Sequence, residues 1–135
     1  MKEIAEDIEI YEEMTKGVDA LLAQYGLQRH HMIYRAVSKE EPKEELKNER
    51  NEEPVIVLFC HCCMGLSIIS YLTGAAPFVM WHNFFLPTSS VSTLVTETDQ
   101  QGYSHFRCVQ IGDTSHLYAG DEPVSGAGLH PVFEY

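Results

Sequence analysis

Positive charge all but disappears after residue 53 of this chain. From residue 54 to the C-terminus Arg107 is the only Lys or Arg, against six acids; residues 1–53 hold eight basic and fourteen acidic side chains. The formal net charge is −11. An acidic surface repels polyanions, so neither nucleic acid nor an anionic membrane is expected as a partner. Long apolar runs are also lacking. The longest, residues 55–60, falls far short of the roughly 20 residues that a spanning helix needs. The opening Met1-Lys2-Glu3-Ile4-Ala5-Glu6-Asp7 has no basic-then-apolar leader. No membrane partner and a cytoplasmic location are therefore expected. The four cysteines do not make a secreted disulfide framework, because Cys60, Cys62 and Cys63 crowd the end of one apolar segment. Reduced, buried thiols are expected.

What is present suffices for one domain. The chain has 135 residues, of which 44% are hydrophobic, so a buried core is possible. Apolar residues recur at helical spacing over residues 3–25, including Ile8, Tyr11, Val18, Leu22 and Tyr25, with Gly26 placed to cap the C-terminus. Residues 32–37 suggest a short strand. Residues 39–53 are dense in charge, contain Pro42, and predict an exposed acidic loop. Val55-Ile56-Val57-Leu58-Phe59-Cys60 is apolar at every position, which predicts a strand buried on both faces in the centre of a sheet. A turn, His61-Cys62-Cys63-Met64-Gly65, leads into a helix over 66–72 that ends at Thr73-Gly74. Residues 75–86 suggest a loop with short turns. Strands are expected over 91–97 and 103–111, joined by a hairpin turn at Asp99-Gln100-Gln101-Gly102, with Phe106, Cys108 and Gln110 on one face. Another turn is expected at Gly112-Asp113-Thr114-Ser115, and an irregular tail over 120–135. The order of elements predicts an α/β fold.

His61 is the leading candidate for chemistry. It stands where the apolar strand gives way to a helix, the carboxyl-end position at which open α/β sheets bind ligands. A helix N-terminus offers unpaired N–H groups and the positive end of a dipole, which suits phosphate. Histidine can hold, protonate or accept a phosphoryl group there.

Several segments together carry a resemblance. Val55-Ile56-Val57-Leu58-Phe59-Cys60-His61 resembles the strand bearing the second active-site histidine of histidine phosphatases, the phosphoglycerate-mutase-like family. Trp81-His82-Asn83-Phe84, Pro87-Thr88-Ser89 and Val91-Ser92-Thr93-Leu94-Val95-Thr96-Glu97 resemble the approach to the next strand in a bacterial branch of that family. Phe106-Arg107 and Gly112-Asp113-Thr114-Ser115-His116-Leu117 resemble its closing strand and C-terminal segment. Gly17-Val18-Asp19-Ala20-Leu21-Leu22 and Tyr25-Gly26 resemble the helix before the second histidine. The similarity spans most of residues 10–125.

The resemblance implies a partial phosphoglycerate-mutase-like three-layer fold with a mixed sheet, occupying residues 1–135 as a single partial domain. It implies phosphoryl transfer from a small phosphate ester, through a phosphohistidine formed on an Arg-His-Gly motif, with no metal and no other cofactor. Only the second histidine carries over, onto His61. His61 and the Cys62 backbone amide would hold the phosphate. No Arg-His-Gly occurs in these 135 residues, so the first, nucleophile-bearing strand is lacking and the chain alone is expected to be inactive. Without that neighbour, strand 55–60 would present an unpaired apolar edge, which predicts self-association. Phosphate also calls for fixed cations, and Arg107 is the only one after residue 53.

Other constellations point elsewhere. Arg29-His30-His31 is the only Arg-His pair, and it follows a helix and a glycine, so two exposed loop histidines are expected there. Cys60, Cys62 and Cys63, with Cys108 and His116, raise a thiol or metal-binding module, but adjacent Cys62 and Cys63 lack the spacing at which zinc ligands converge. His82, His105, His116 and His130 suggest structural or exposed positions. Three functions follow: the C-terminal part of a histidine phosphatase, a non-catalytic remnant or partner-dependent binding protein, and the thiol or metal module.

Overall fold

The computed structural model describes residues 2–37 and 54–125. The expected acidic loop, 39–53, and most of the expected tail lie outside them. The described elements are α1 (Lys2–Gln24), β1 (Leu27–His30), β2 (Ile33–Ala36), α2 (Cys62–Thr73), α3 (Pro77–Asn83), β3 (Val91–Thr98), β4 (Tyr103–Asp113) and α4 (Ser115–Ala119). The fold is thus mixed α/β. Its four strands join in the order β1-β2-β4-β3, and the sheet is antiparallel. The mixed sheet expected from the sequence required a parallel strand at 55–60, and that strand is absent from the sheet.

Contacts divide the chain into two compact units, one of residues 1–59 with 97–105, the other of residues 60–96 with 106–135. In the first unit α1 stops where expected, with Gly26 at φ 79°, a conformation that costs a glycine little. The α1 stripe of Val18 and Leu22, one turn apart, is buried. β1 and β2 form a tight hairpin, with Leu27 opposite Ala36 and His30 opposite Ile33. β2 also pairs with β4, Tyr34 opposite Ser104 and Arg35 opposite Tyr103. Tyr34 and Ser104 are fully buried. The Tyr34 hydroxyl donates to Asp19 Oδ1 at 3.0 Å and accepts from Arg29 Nη1 at 3.1 Å, so its burial leaves no polar atom unpaired.

Burial, above all, pushes the Tyr34 phenol up to about 12. The Arg29 hydrogen bond opposes this rise and the Asp19 hydrogen bond assists it. The folded state therefore holds this proton more tightly than the unfolded chain, whose tyrosines titrate near 10. Stability from this group is intact below pH 10 and drains as pH rises through 12, by roughly 3 kcal/mol in all. Urea unfolding between pH 9 and 12 is expected to show this decline in the parent and a shallower one in Tyr34→Phe. Parallel declines would refute the assignment.

The second unit is organised by α2. Leu66 and Ile69 pack with Met80 of α3, and Cys62, Ala75, Leu86, Leu94 and Cys108 close around them. Polar groups on α2 are satisfied locally: Ser70 Oγ donates to Ala75 O at 2.7 Å, and Ser67 Oγ accepts from Trp81 Nε1 at 2.9 Å. Gly74, at φ 75°, ends the helix. On β4, Phe106 and Cys108 are half-buried as the alternation predicts, whereas Gln110 is exposed.

Several expectations are corrected. The helix expected from residue 66 begins at Cys62, so most of the anticipated turn is its first turn. The loop expected over 75–86 contains α3, which starts on Pro77, a residue that costs nothing at a helix's first position. Residues 112–115 are split between the end of β4 and the start of α4. The largest correction concerns residues 55–60. They belong to no strand, and in place of burial on both faces Val55 is 85% exposed and Phe59 96% exposed.

Candidate functional site

His61 is the N-cap of α2, with φ −84° and ψ 164°. Its carbonyl accepts the Gly65 N–H at 2.8 Å, the first bond of the helix. Its side chain makes no capping hydrogen bond and is exposed, so the imidazole is available to a ligand. The backbone amide of Cys62 occupies the first helical position, where N–H groups point out of the helix without an intrahelical acceptor. No acidic residue stands in this first turn, so nothing there competes with an incoming anion for the dipole. Between Pro54 and Thr96 there is no Asp, Glu, Lys or Arg at all.

The three clustered cysteines do different things. The Cys62 sulfur accepts the Leu86 N–H at 3.4 Å and packs on the core. Cys63 is exposed. Cys60 is exposed as a residue, yet its sulfur lies 3.4 Å from where a Cβ on Gly65 would stand. This partial desolvation pushes the Cys60 thiol above its ordinary value. All four cysteines are free, and only partly buried or exposed, where buried thiols were expected. Among the described residues no three His, Cys, Asp or Glu side chains gather to hold a metal ion. Cys108 in particular turns to Gln110 O at 3.4 Å.

The remaining histidines have local roles. His82 contacts Phe78 O through Nδ1 at 2.9 Å and stacks on the Phe78 ring at 4.0 Å. His105 pairs with Glu97 at 3.2 Å. His116 lies in α4, and His130 lies outside the described residues. Arg107 is exposed on β4, out of phase with the half-buried Phe106 and Cys108.

Sequence reasoning missed one cluster. Arg29 and His30 are in β1, and His31 opens the two-residue turn to β2, where loop histidines were expected. The Arg29 guanidinium lies 5.0 Å over the Tyr34 ring, and its Nε donates to His31 O at 2.6 Å. Leu27-Gln28-Arg29-His30 holds a single apolar residue, so its period gives no strand signal. The usable signal was the presence of Gly26 before it and of a β-compatible partner over 33–36.

No family model, curated protein or solved structure matches this chain. Among the described residues no helix is long and apolar enough to cross a membrane.

Proposed function

We propose that this chain is the C-terminal part of a histidine-phosphatase domain, in which His61 is the second active-site histidine and the substrate is a small phosphate ester. The observation that carries this reading is residues 55–60: a charge-free, β-branched segment, exposed and outside the sheet, that ends on a histidine capping a helix. A central strand looks like this when the strand meant to lie beside it is not among the residues present. β-branched residues favour strands, but a ladder needs a second backbone.

In that domain the His61 imidazole and the Cys62 amide would contact the phosphoryl oxygens as charge develops on them. Preorganised donors of this kind stabilise transferring phosphate more than they stabilise bound substrate. The nucleophile and most of the cations would come from the segment with Arg-His-Gly. The 135 residues alone are inactive on this reading. Exposed, apolar and unpaired, residues 55–60 would also pair two copies of the chain.

The scarcity of cations favours one other reading, a binding protein without catalysis that uses the same exposed segment to meet a partner. Activity separates the two. The 135-residue chain is expected to show no turnover of an aryl phosphate above background. A longer chain that includes an upstream Arg-His-Gly strand is expected to turn it over and to lose at least about a hundredfold in rate with His61→Ala. Full activity in that variant would overturn the role of His61.

A further inference from the structure

The Arg29-His30-His31 hairpin is a sequence feature that the proposed function leaves unused. Strand register sorts its residues. Arg29 and Tyr34 face each other on the side that buries Tyr34 and Ser104. His30, Ile33, Arg35 and Tyr103 therefore share the opposite side, because side chains alternate along each strand. His30, Ile33 and Arg35 are exposed there and Tyr103 is half-buried.

The Tyr103 ring gathers this group. The His30 ring lies 5.6 Å from it and the Arg35 guanidinium carbon 6.0 Å from it. The His31 ring stands 4.9 Å from that of His30, edge to face. His31 holds this place with φ 56°, in the left-handed region that hairpin turns usually give to glycine or asparagine. An imidazole kept in that conformation beside a second imidazole suggests a function rather than a turn requirement.

Charge points the same way. The chain carries 20 acids against nine Lys and Arg, yet among the described residues no carboxylate pairs with His30, His31 or Arg35. His105, two residues beyond Tyr103 on the same face, engages Glu97 at 3.2 Å. The guanidinium and the His30 imidazole thus both lie beside the Tyr103 ring, with the His31 imidazole next to that of His30. A planar fork combined with single donors suits a tetrahedral oxyanion. A metal ion is disfavoured by the adjacent guanidinium, and a nucleic acid by the acidic remainder of the chain.

We propose that the outer face of the β1–β2 hairpin is an anion site for a phosphate dianion, held by Arg35, His30 and His31 beside Tyr103. The site goes beyond the proposed function and shares no residue with it.

The test is titration of the full 135-residue chain with inorganic phosphate and, separately, with phenyl phosphate, following histidine side-chain and Arg35 signals by NMR. Saturable shifts at His30, His31 and Arg35 are expected. Arg35→Gln, at an exposed position, should weaken binding at least about tenfold. His31→Gly should also weaken it while leaving the midpoint of thermal unfolding unchanged or higher. Tighter binding of phenyl phosphate would identify an ester as the ligand, and equal binding would identify free phosphate. Absence of saturable shifts with both probes, or equal affinity in Arg35→Gln, would overturn the site. Loss of binding in His61→Ala with binding kept in Arg35→Gln would place it at α2 instead. A negative phosphatase assay would not alter any of these outcomes.

Discussion

Leu66→Ala is expected to destabilise the protein by about 2–5 kcal/mol, the range for emptying a well-packed leucine site. Leu66 is 1% exposed and belongs to the buried cluster with Ile69 and Met80. Its neighbours have little freedom to collapse into the space. The Leu86 side chain already lies so close to α2 that a Cβ on Gly65 would sit 2.9 Å from Leu86 Cδ1. Ser67 and Ser70 on the same helix are tied by hydrogen bonds to Trp81 and Ala75, which limits movement of α2 as a whole. A loss of this size is a large part of the 5–15 kcal/mol that typically holds a domain together. Denaturant unfolding would measure it, with exposed Val55→Ala as the comparison, expected to change stability by less than about 0.5 kcal/mol. Equal effects at the two positions would mean that Leu66 is not in a packed core.

The second large effect concerns association. Residues 55–60 place Val55, Val57 and Phe59 in solvent together, within a stretch that carries no charge. Such a segment is a template for strand pairing with another chain. The full chain is expected to form dimers or larger species by sedimentation, despite its net charge of −11. Val57→Lys should weaken that association at least about tenfold, because a charge on a pairing edge must be desolvated when the edge is covered. The substitution removes little from the folded monomer, since Val57 is exposed in it. A parent protein that is monomeric at all concentrations would refute the prediction. So would a Val57→Lys variant that associates as the parent does.

The same segment shows where sequence reasoning stopped. Strand propensity is local, and Val55-Ile56-Val57 has it strongly. Membership of a sheet is not local, because it depends on a partner backbone that no residue in the segment specifies. Elements whose pattern is self-contained were legible. The 3.6-residue stripe of α1 ends at Gly26, and the β3–β4 hairpin turns at Asp99, whose Oδ1 accepts the N–H groups of Gln101 and Tyr103. β1 was hidden because three of its four residues are polar. α3 was hidden because Phe78, Val79, Met80 and Trp81 are apolar in succession and give no period. α4 has five residues, too few for a periodic signal. At the site, the junction of apolar segment and helix at His61 was legible from composition. The helix start at Cys62 was not, because histidine is a weak N-cap signal and Gly65 suggested a turn. The meeting of His30 and Arg35 with the Tyr103 ring was beyond the sequence, since it depends on the register of β2 against β4.

The proposal that His61 belongs to a phosphatase pocket is tested most directly by determining the DNA sequence in frame upstream of the Met1 codon. An open frame encoding an apolar strand that ends in Arg-His-Gly is the predicted result. It would supply both a neighbour for residues 55–60 and a nucleophile for the site. An in-frame stop codon with no such motif before it would contradict the proposal and leave residues 55–60 to be covered by a partner or by a second copy of the chain.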